Sequence, residues 1–261
     1  MYETFDLVVS DGIARLTMNQ PDLGNPFNEV CCREFGQVAN DIAGRKEVRV
    51  VLLSARGQYF SVGGDIVRFS QHIDTMADVV REATGSLHMG MARLMRMNAP
   101  IVACVHATAM GGAVSVLSNC DLVYSARSAR FGAAYSKLGF TCDLGGTFGL
   151  ASRIGLARAR RFLLIGEVID AAEAERIGLV DHVVEDEEIR IQAEQAAIQL
   201  SKGPTRAYGE IRRLMARTMS QGFEAQLEDE AQAFMRAAVT LDAREGITAF
   251  IEKRGPMFSG L

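Results

Sequence analysis

The stretch Pro100-Ile101-Val102-Ala103-Cys104-Val105-His106-Ala107-Thr108-Ala109-Met110-Gly111-Gly112-Ala113-Val114-Ser115-Val116-Leu117-Ser118-Asn119-Cys120-Asp121-Leu122-Val123-Tyr124 decides the fold. Pro100 stops the helical pattern that precedes it, and a β-branched apolar run follows, as in a strand buried on both faces. Gly111-Gly112 then opens a short helix, and Asp121-Leu122-Val123-Tyr124 reads as the next strand. From Met97 to Cys120 there is no formal charge, a length sufficient to cross a bilayer. Pro100 and the glycines, serines and asparagines inside it argue instead for a buried strand, a small-residue loop and a packed helix. No membrane insertion is expected.

The same alternation extends outward. Phe5, Leu7 and Val9 share one face, Asp11-Gly12 turns the chain, and Ile13, Leu16 and Met18 continue, which is a hairpin signal. Asn28 is placed to cap a helix reaching Ile42, with Val30, Phe35 and Val38 at helical spacing. A strand is predicted over 48–53, a glycine-bearing loop over 57–65 and a long helix from Thr75 to Met97. Beyond Asp143 the pattern turns helical, with helices predicted over 146–154, 157–164, 171–177, 187–201, 205–219, 223–239 and 243–252. Recurrent strand–loop–helix order predicts an α/β fold with βαβ crossovers. Residues 1–200 read as its body and 201–261 as a helical C-terminal part suited to oligomerisation.

The chain has 261 residues, 48% hydrophobic and 23% charged, with a net charge of −4, which excludes a wholly disordered or fibrous protein. No dense Lys/Arg block marks a nucleic-acid footprint. Five cysteines form no ligand pattern, so reduced thiols, a cytoplasmic location and no metal site are expected. The first residues, MYETFDLVVSDG, lack the basic and apolar regions of a signal peptide. Two glycine turns, Phe60-Ser61-Val62-Gly63-Gly64-Asp65-Ile66 and Ala109-Met110-Gly111-Gly112-Ala113, could aim backbone N–H groups at one point. Two such amides would form an oxyanion hole. By itself each is also compatible with an ordinary tight turn.

Five motifs in order carry a resemblance: FSVGGDI (60–66), PIVACVHATAMGGAVSVLSNCDLVYSA (100–126), DLGGTFGLASRIGLARAR (143–160), GEVIDAAEAERIGLVDHVV (166–184) and TAFIEKRGPMFSG (248–260). Together they resemble the enoyl-CoA hydratase/isomerase (crotonase) superfamily over nearly the whole chain. The resemblance implies a crotonase-like (ClpP/crotonase) α/β fold of repeated ββα units with a helical C-terminal part. It also implies an acyl-CoA thioester as substrate, no separate cofactor, and a homotrimer or dimer of trimers. It puts the oxyanion donors on the N–H groups of Gly64 and Gly112. Ser61, Val62, Gly63, Asp65, Ile66 and Gly111 fall beside the substrate and CoA, with the Asp65 side chain shaping its loop. Phe250 and Lys253 match residues that touch CoA from a neighbouring subunit.

Departures from the family pattern narrow the chemistry. The two glutamates of hydratases are replaced by Ser115 and Tyr135. A water cannot be held and split across a C=C bond by that mechanism without them. Asp143 matches the Asp of double-bond isomerases such as the phenylacetate-pathway enoyl-CoA isomerase. Phe140 and Leu144 would desolvate it, although an N-cap role for the following helix is the plainer alternative. His88 matches the histidine of 4-chlorobenzoyl-CoA dehalogenase, where an Asp attacks and the histidine activates water. Tyr135 stands there for a tryptophan. The implied catalytic set is therefore Asp143, Gly64, Gly112, His88 and Tyr135. Three readings stay open: an isomerase, a thioester hydrolase or dehalogenase, and a non-catalytic acyl-CoA binder. His106 reads as packing, and Met89, Met91, Met95 and Met97 as adaptable filler along one helix.

Overall fold

The computed structural model describes residues 1–261. Strands β1 (Phe5–Ser10) and β2 (Ile13–Met18) form the expected hairpin, with Asp11 and Gly12 at φ 54° and 76°. Two left-handed residues in succession match the right-handed twist of the flanking strands. A two-residue strand β3 (Pro26–Phe27) leads to α1 (Glu29–Gly44), which Asn28 caps by accepting the Cys31 N–H at 2.9 Å. Then come β4 (Val50–Ala55), β5 (Gly63–Gly64), α2 (Ile66–Gln71), α3 (Met76–Arg96) and β6 (Ile101–Val105). The quoted stretch continues through β7 (Ala109–Met110), α4 (Gly112–Ser118) and β8 (Leu122–Ala126). After β9 (Arg130–Gly132) follow α5 (Gly146–Ile154), α6 (Leu156–Ile165), β10 (Val168–Asp170), α7 (Ala171–Ile177), β11 (His182–Val184) and α8 (Ile189–Ser201). The chain ends in α9 (Thr205–Arg217), α10 (Phe223–Ala238) and α11 (Leu241–Glu252).

The main sheet has the order β1-β2-β4-β6-β8-β11, parallel throughout except for the β1–β2 pair. β6 lies in its interior, so all five of its residues are buried. Alternate side chains serve opposite faces. Ile101, Ala103 and Val105 enter the large core with α1, α3 and α4, while Val102 and Cys104 meet Ile189, Ala193 and Ala197 of α8. Each fully buried Ile or Val contributes roughly 1.5–3 kcal/mol. No helix of the protein is long and apolar enough to cross a membrane.

A second layer was not legible in the sequence. β10-β9-β7 make a three-stranded sheet and β3-β5 a two-stranded one. Strands of two or three residues are too short to display a period. The helix α2 likewise lay hidden behind the predicted loop, and the predicted 48–53 strand is displaced to Val50–Ala55. Of the four methionines read as filler, Met91 is buried and Met95 and Met97 pack partly on the core, but Met89 is exposed.

The C-terminal helices are tied to the body by buried charge. Arg212 on α9 donates to the Met97 and Ala99 carbonyls at 2.6 and 2.9 Å and to Asp121 Oδ1 at 2.9 Å. Arg49, just before β4, holds the chain end through the Phe258 carbonyl at 3.1 Å. Asp242 accepts the Ser259 and Gly260 amides at 2.6 and 2.9 Å.

Candidate active site

The two glycine turns lie side by side. The Phe60 and Ser61 amides donate to the Thr108 carbonyl at 3.0 and 3.3 Å, and the Met110 amide returns to the Ser61 carbonyl at 2.9 Å. Gly63 has φ +89°, and a Cβ there would stand 2.9 Å from the Met110 carbonyl oxygen, so glycine is required twice over. Gly111 (φ 54°, ψ −121°) directs the chain into α4, whose first N–H belongs to Gly112. That amide has no acceptor within its own helix. Phe27 and Leu144 close over the Gly112 Cα, where a Cβ would meet their side chains at 3.2 to 3.4 Å.

Gly64 and Asp143 line one cleft of about 180 Å³ between α1, α2, α3 and the segment leading into α5. Its walls include Phe27, Cys32, Phe69, Ala83 and Leu87. Its rim is charged, with Arg33, Glu82 and an ion pair between Arg68 and Glu29. Asp143 thus faces the cleft, together with an amide-bearing glycine.

The N-cap reading of Asp143 is overturned. Gly145 occupies the cap of α5 in the left-handed conformation, and no side chain caps that helix. The Asp143 backbone carbonyl accepts the Gly146 N–H at 2.8 Å, leaving the carboxylate free for other partners. Its Oδ1 accepts from the Tyr135 hydroxyl at 2.6 Å. Tyr135 Oη also lies 3.0 Å from Ser115 Oγ, which lies 3.4 Å from Cys142 Sγ. Ser115 and Tyr135 therefore touch each other, and Tyr135 donates to Asp143. Burial first, and the Asp143 charge second, push the Tyr135 phenol far above its ordinary range, so it remains a donor. Burial also raises the Cys142 thiol and pushes Cys32 up to about 12, so neither thiol is a ready nucleophile.

Phe140 packs on Phe69 with ring centroids 5.4 Å apart, whereas Leu144 turns its side chain inward against Gly112. His88, on α3, accepts the Leu144 N–H at Nε2 across 3.1 Å. Nothing in the sequence signalled this bond, because it joins residues 56 positions apart. Asp65 accepts the Arg68 N–H at 3.0 Å, caps α2 and also lines the cleft. Ser61 is fully buried, and its hydroxyl donates to the Asn25 carbonyl at 2.7 Å and accepts the Gly63 amide at 3.1 Å. Its side chain therefore builds the turn. Val62 and Ile66 are exposed beside that turn. Phe250 and Lys253 are exposed on and just after α11, and neither lines the cleft of its own chain. His106 donates from Nε2 to the Gly57 carbonyl at 2.8 Å, in keeping with a packing role. No group of side chains is arranged to hold a metal ion.

Comparison with known proteins matches residues 9–260 to the enoyl-CoA hydratase/isomerase family model. The chain is 31% identical over 255 residues to the trans-2-decenoyl-acyl-carrier-protein isomerase of Streptococcus mutans, covering 97% of this chain and 96% of that one. It is 30% identical over 255 residues to the 1,2-epoxyphenylacetyl-CoA isomerase of Escherichia coli, covering 97% of each. A crystal structure of an enoyl-CoA hydratase from Polaromonas sp. JS666 superposes with a TM-score of 0.91 at 27% identity, covering 98% of this chain and 99% of that one.

Proposed function

The chain belongs to the enoyl-CoA hydratase/isomerase family, and from that premise we propose that this enzyme shifts a carbon–carbon double bond within an acyl-CoA thioester. The Gly64 and Gly112 amides receive the thioester carbonyl oxygen and stabilise the enolate as charge develops on it. Asp143 takes a proton from C2 of a 3-enoyl thioester. The electrons move through the conjugated system, and the same carboxyl returns the proton to C4, leaving the 2-enoyl product. Tyr135 holds Oδ1, so Oδ2 is the oxygen that exchanges the proton. The observation that carries this reading is the placement of Asp143 in the cleft of Gly64 with its Oδ1 held by the Tyr135 hydroxyl. A cleft of about 180 Å³ suits a short acyl chain or one ring, since a cavity of ~150 Å³ admits benzene.

The test is turnover of 3-enoyl-CoA thioesters of graded length, followed by conjugated-thioester absorbance. The native enzyme turns over the short substrates, and Asp143→Asn loses roughly a hundred- to ten-thousandfold in kcat, the scale of a lost acid–base group. An Asp143→Asn enzyme as fast as the native one would remove the proposal, and tight binding of CoA esters without turnover would favour a non-catalytic binder.

A second reading is a thioester hydrolase or dehalogenase with Asp143 as nucleophile and His88 as base, which requires His88 Nε2 to release the Leu144 amide. It requires a covalent acyl-Asp143 adduct, visible by mass spectrometry, in His88→Gln. Exposed Phe223, Phe234, Ile247, Phe250 and Ile251 on the C-terminal helices, with Val239 between two of them, support a homotrimer or dimer of trimers. A monomeric sedimentation mass at micromolar concentration would exclude it.

A further inference from the structure

The segment that delivers Asp143 is conformationally costly. Gly139, Leu144 and Gly145 all have positive φ, at 75°, 51° and 73°. For Leu144 that conformation is unfavourable, because its Cβ crowds the following carbonyl. Two anchors keep it there. The side chain is 1% exposed and packs against Gly112, and the N–H is held by His88. A ring nitrogen that accepts an amide proton must present a lone pair, so the His88 proton resides on Nδ1.

We propose that His88 is a positioning residue, which acts through the Leu144 amide to keep the Asp143 carboxylate aimed into the cleft. The inference rests on Asp143 being the working acid. Asp143 is then fixed from both sides, by the Tyr135 hydroxyl on its carboxylate and by His88 on the next peptide. The Nε2 lone pair that a water-activating base would use is already committed to the backbone. Without this acceptor, the Leu144 amide has no other partner in the structure and the left-handed turn loses one of its two anchors. The carboxylate then samples positions outside the cleft while the amide-bearing turns stay in place. The loss therefore falls on the chemical step rather than on substrate binding.

The experiment compares His88→Leu, which has no acceptor, with His88→Gln, whose Oε1 can accept the Leu144 N–H. His88→Leu is expected to lose about tenfold in kcat with KM changed by less than about twofold, the size of one backbone hydrogen bond. His88→Gln is expected to restore kcat to within about threefold of the native enzyme. If His88→Gln is as impaired as His88→Leu, the imidazole itself is needed and the proposal falls. A second measurement does not depend on turnover. ¹⁵N spectra of the native protein should show His88 protonated at Nδ1, and the Leu144 amide resonance should move in His88→Leu and hold in His88→Gln. Protonation at Nε2, or a Leu144 amide indifferent to both variants, overturns the geometry whichever acyl thioester the enzyme accepts. The expected spectra in an enzyme that ignores 3-enoyl-CoA would uphold the anchor and reject the isomerase reading alone.

Discussion

Tyr135→Phe removes one oxygen and leaves the ring, so its effect isolates the hydroxyl. In the native protein that hydroxyl donates to Asp143 Oδ1 at 2.6 Å and sits 3.0 Å from Ser115 Oγ. A hydrogen bond to a charged group contributes about 1.5–3 kcal/mol net. Phenylalanine preserves the packing of the ring on the core, and Ser115 keeps its contact with Cys142 at 3.4 Å. The cost to stability is therefore small, about 1 kcal/mol. The cost to catalysis is the whole of the bond, because the carboxylate is no longer held with one oxygen toward the cleft. At 1.36 kcal/mol per decade, the expected loss is roughly 10- to 150-fold in kcat. KM should scarcely move, since the amides of Gly64 and Gly112 are untouched. The ratio of native to variant activity should also stay level up to roughly pH 10, where an ordinary tyrosine ionises, because burial keeps the Tyr135 phenol protonated beyond that point. The assay is conjugated-thioester absorbance with a short 3-enoyl-CoA, with a thermal melt as control for folding. A variant within twofold of native kcat, or a loss lying wholly in KM, would refute the view that Tyr135 works through Asp143.

Two further predictions concern stability. Arg212→Met strips Asp121 Oδ1 and the Met97 and Ala99 carbonyls of a buried donor, and should cost about 3–5 kcal/mol, or roughly 10 °C in melting midpoint. An unshifted midpoint would show that α9 is held by its apolar face instead. Glu34 is nearly buried, and burial alone would raise its carboxyl. The Glu3 amide and the Thr4 hydroxyl and amide, at 2.7 to 2.8 Å, outweigh that and hold it below the ordinary range. A carboxyl lowered by folding adds stability above its unfolded value, near pH 4.3, and loses it as pH falls through the folded value. Glu34→Gln should therefore be about 2 kcal/mol less stable than native near neutrality, with the gap closing below pH 4 in urea titrations. A gap that persists in acid would place the effect in shape rather than charge.

Much of the architecture could be read from local pattern. Asn28 announced its helix by capping chemistry, Asp11-Gly12 its hairpin by tolerance of left-handed backbone, and Ile101-Val102-Ala103-Cys104-Val105 its strand by β-branched continuity. The ordered motifs pointed to the family, whose model matches residues 9–260. Those features depend on neighbours within a few positions, so a linear chain displays them.

What Ser115, Tyr135, Cys142, Asp143 and His88 do together belongs to the tertiary structure. Tyr135 meets Asp143 across one turn of loop, but Ser115 comes from α4 and His88 from α3. Hydrogen bonds between them require three elements to pack first, and no spacing rule encodes that convergence. The left-handed Leu144 was equally unreadable, since leucine rarely adopts that conformation without a buried side chain and an anchored amide to hold it. Residue types thus set which chemistry was possible, and packing chose where the Asp143 carboxylate points.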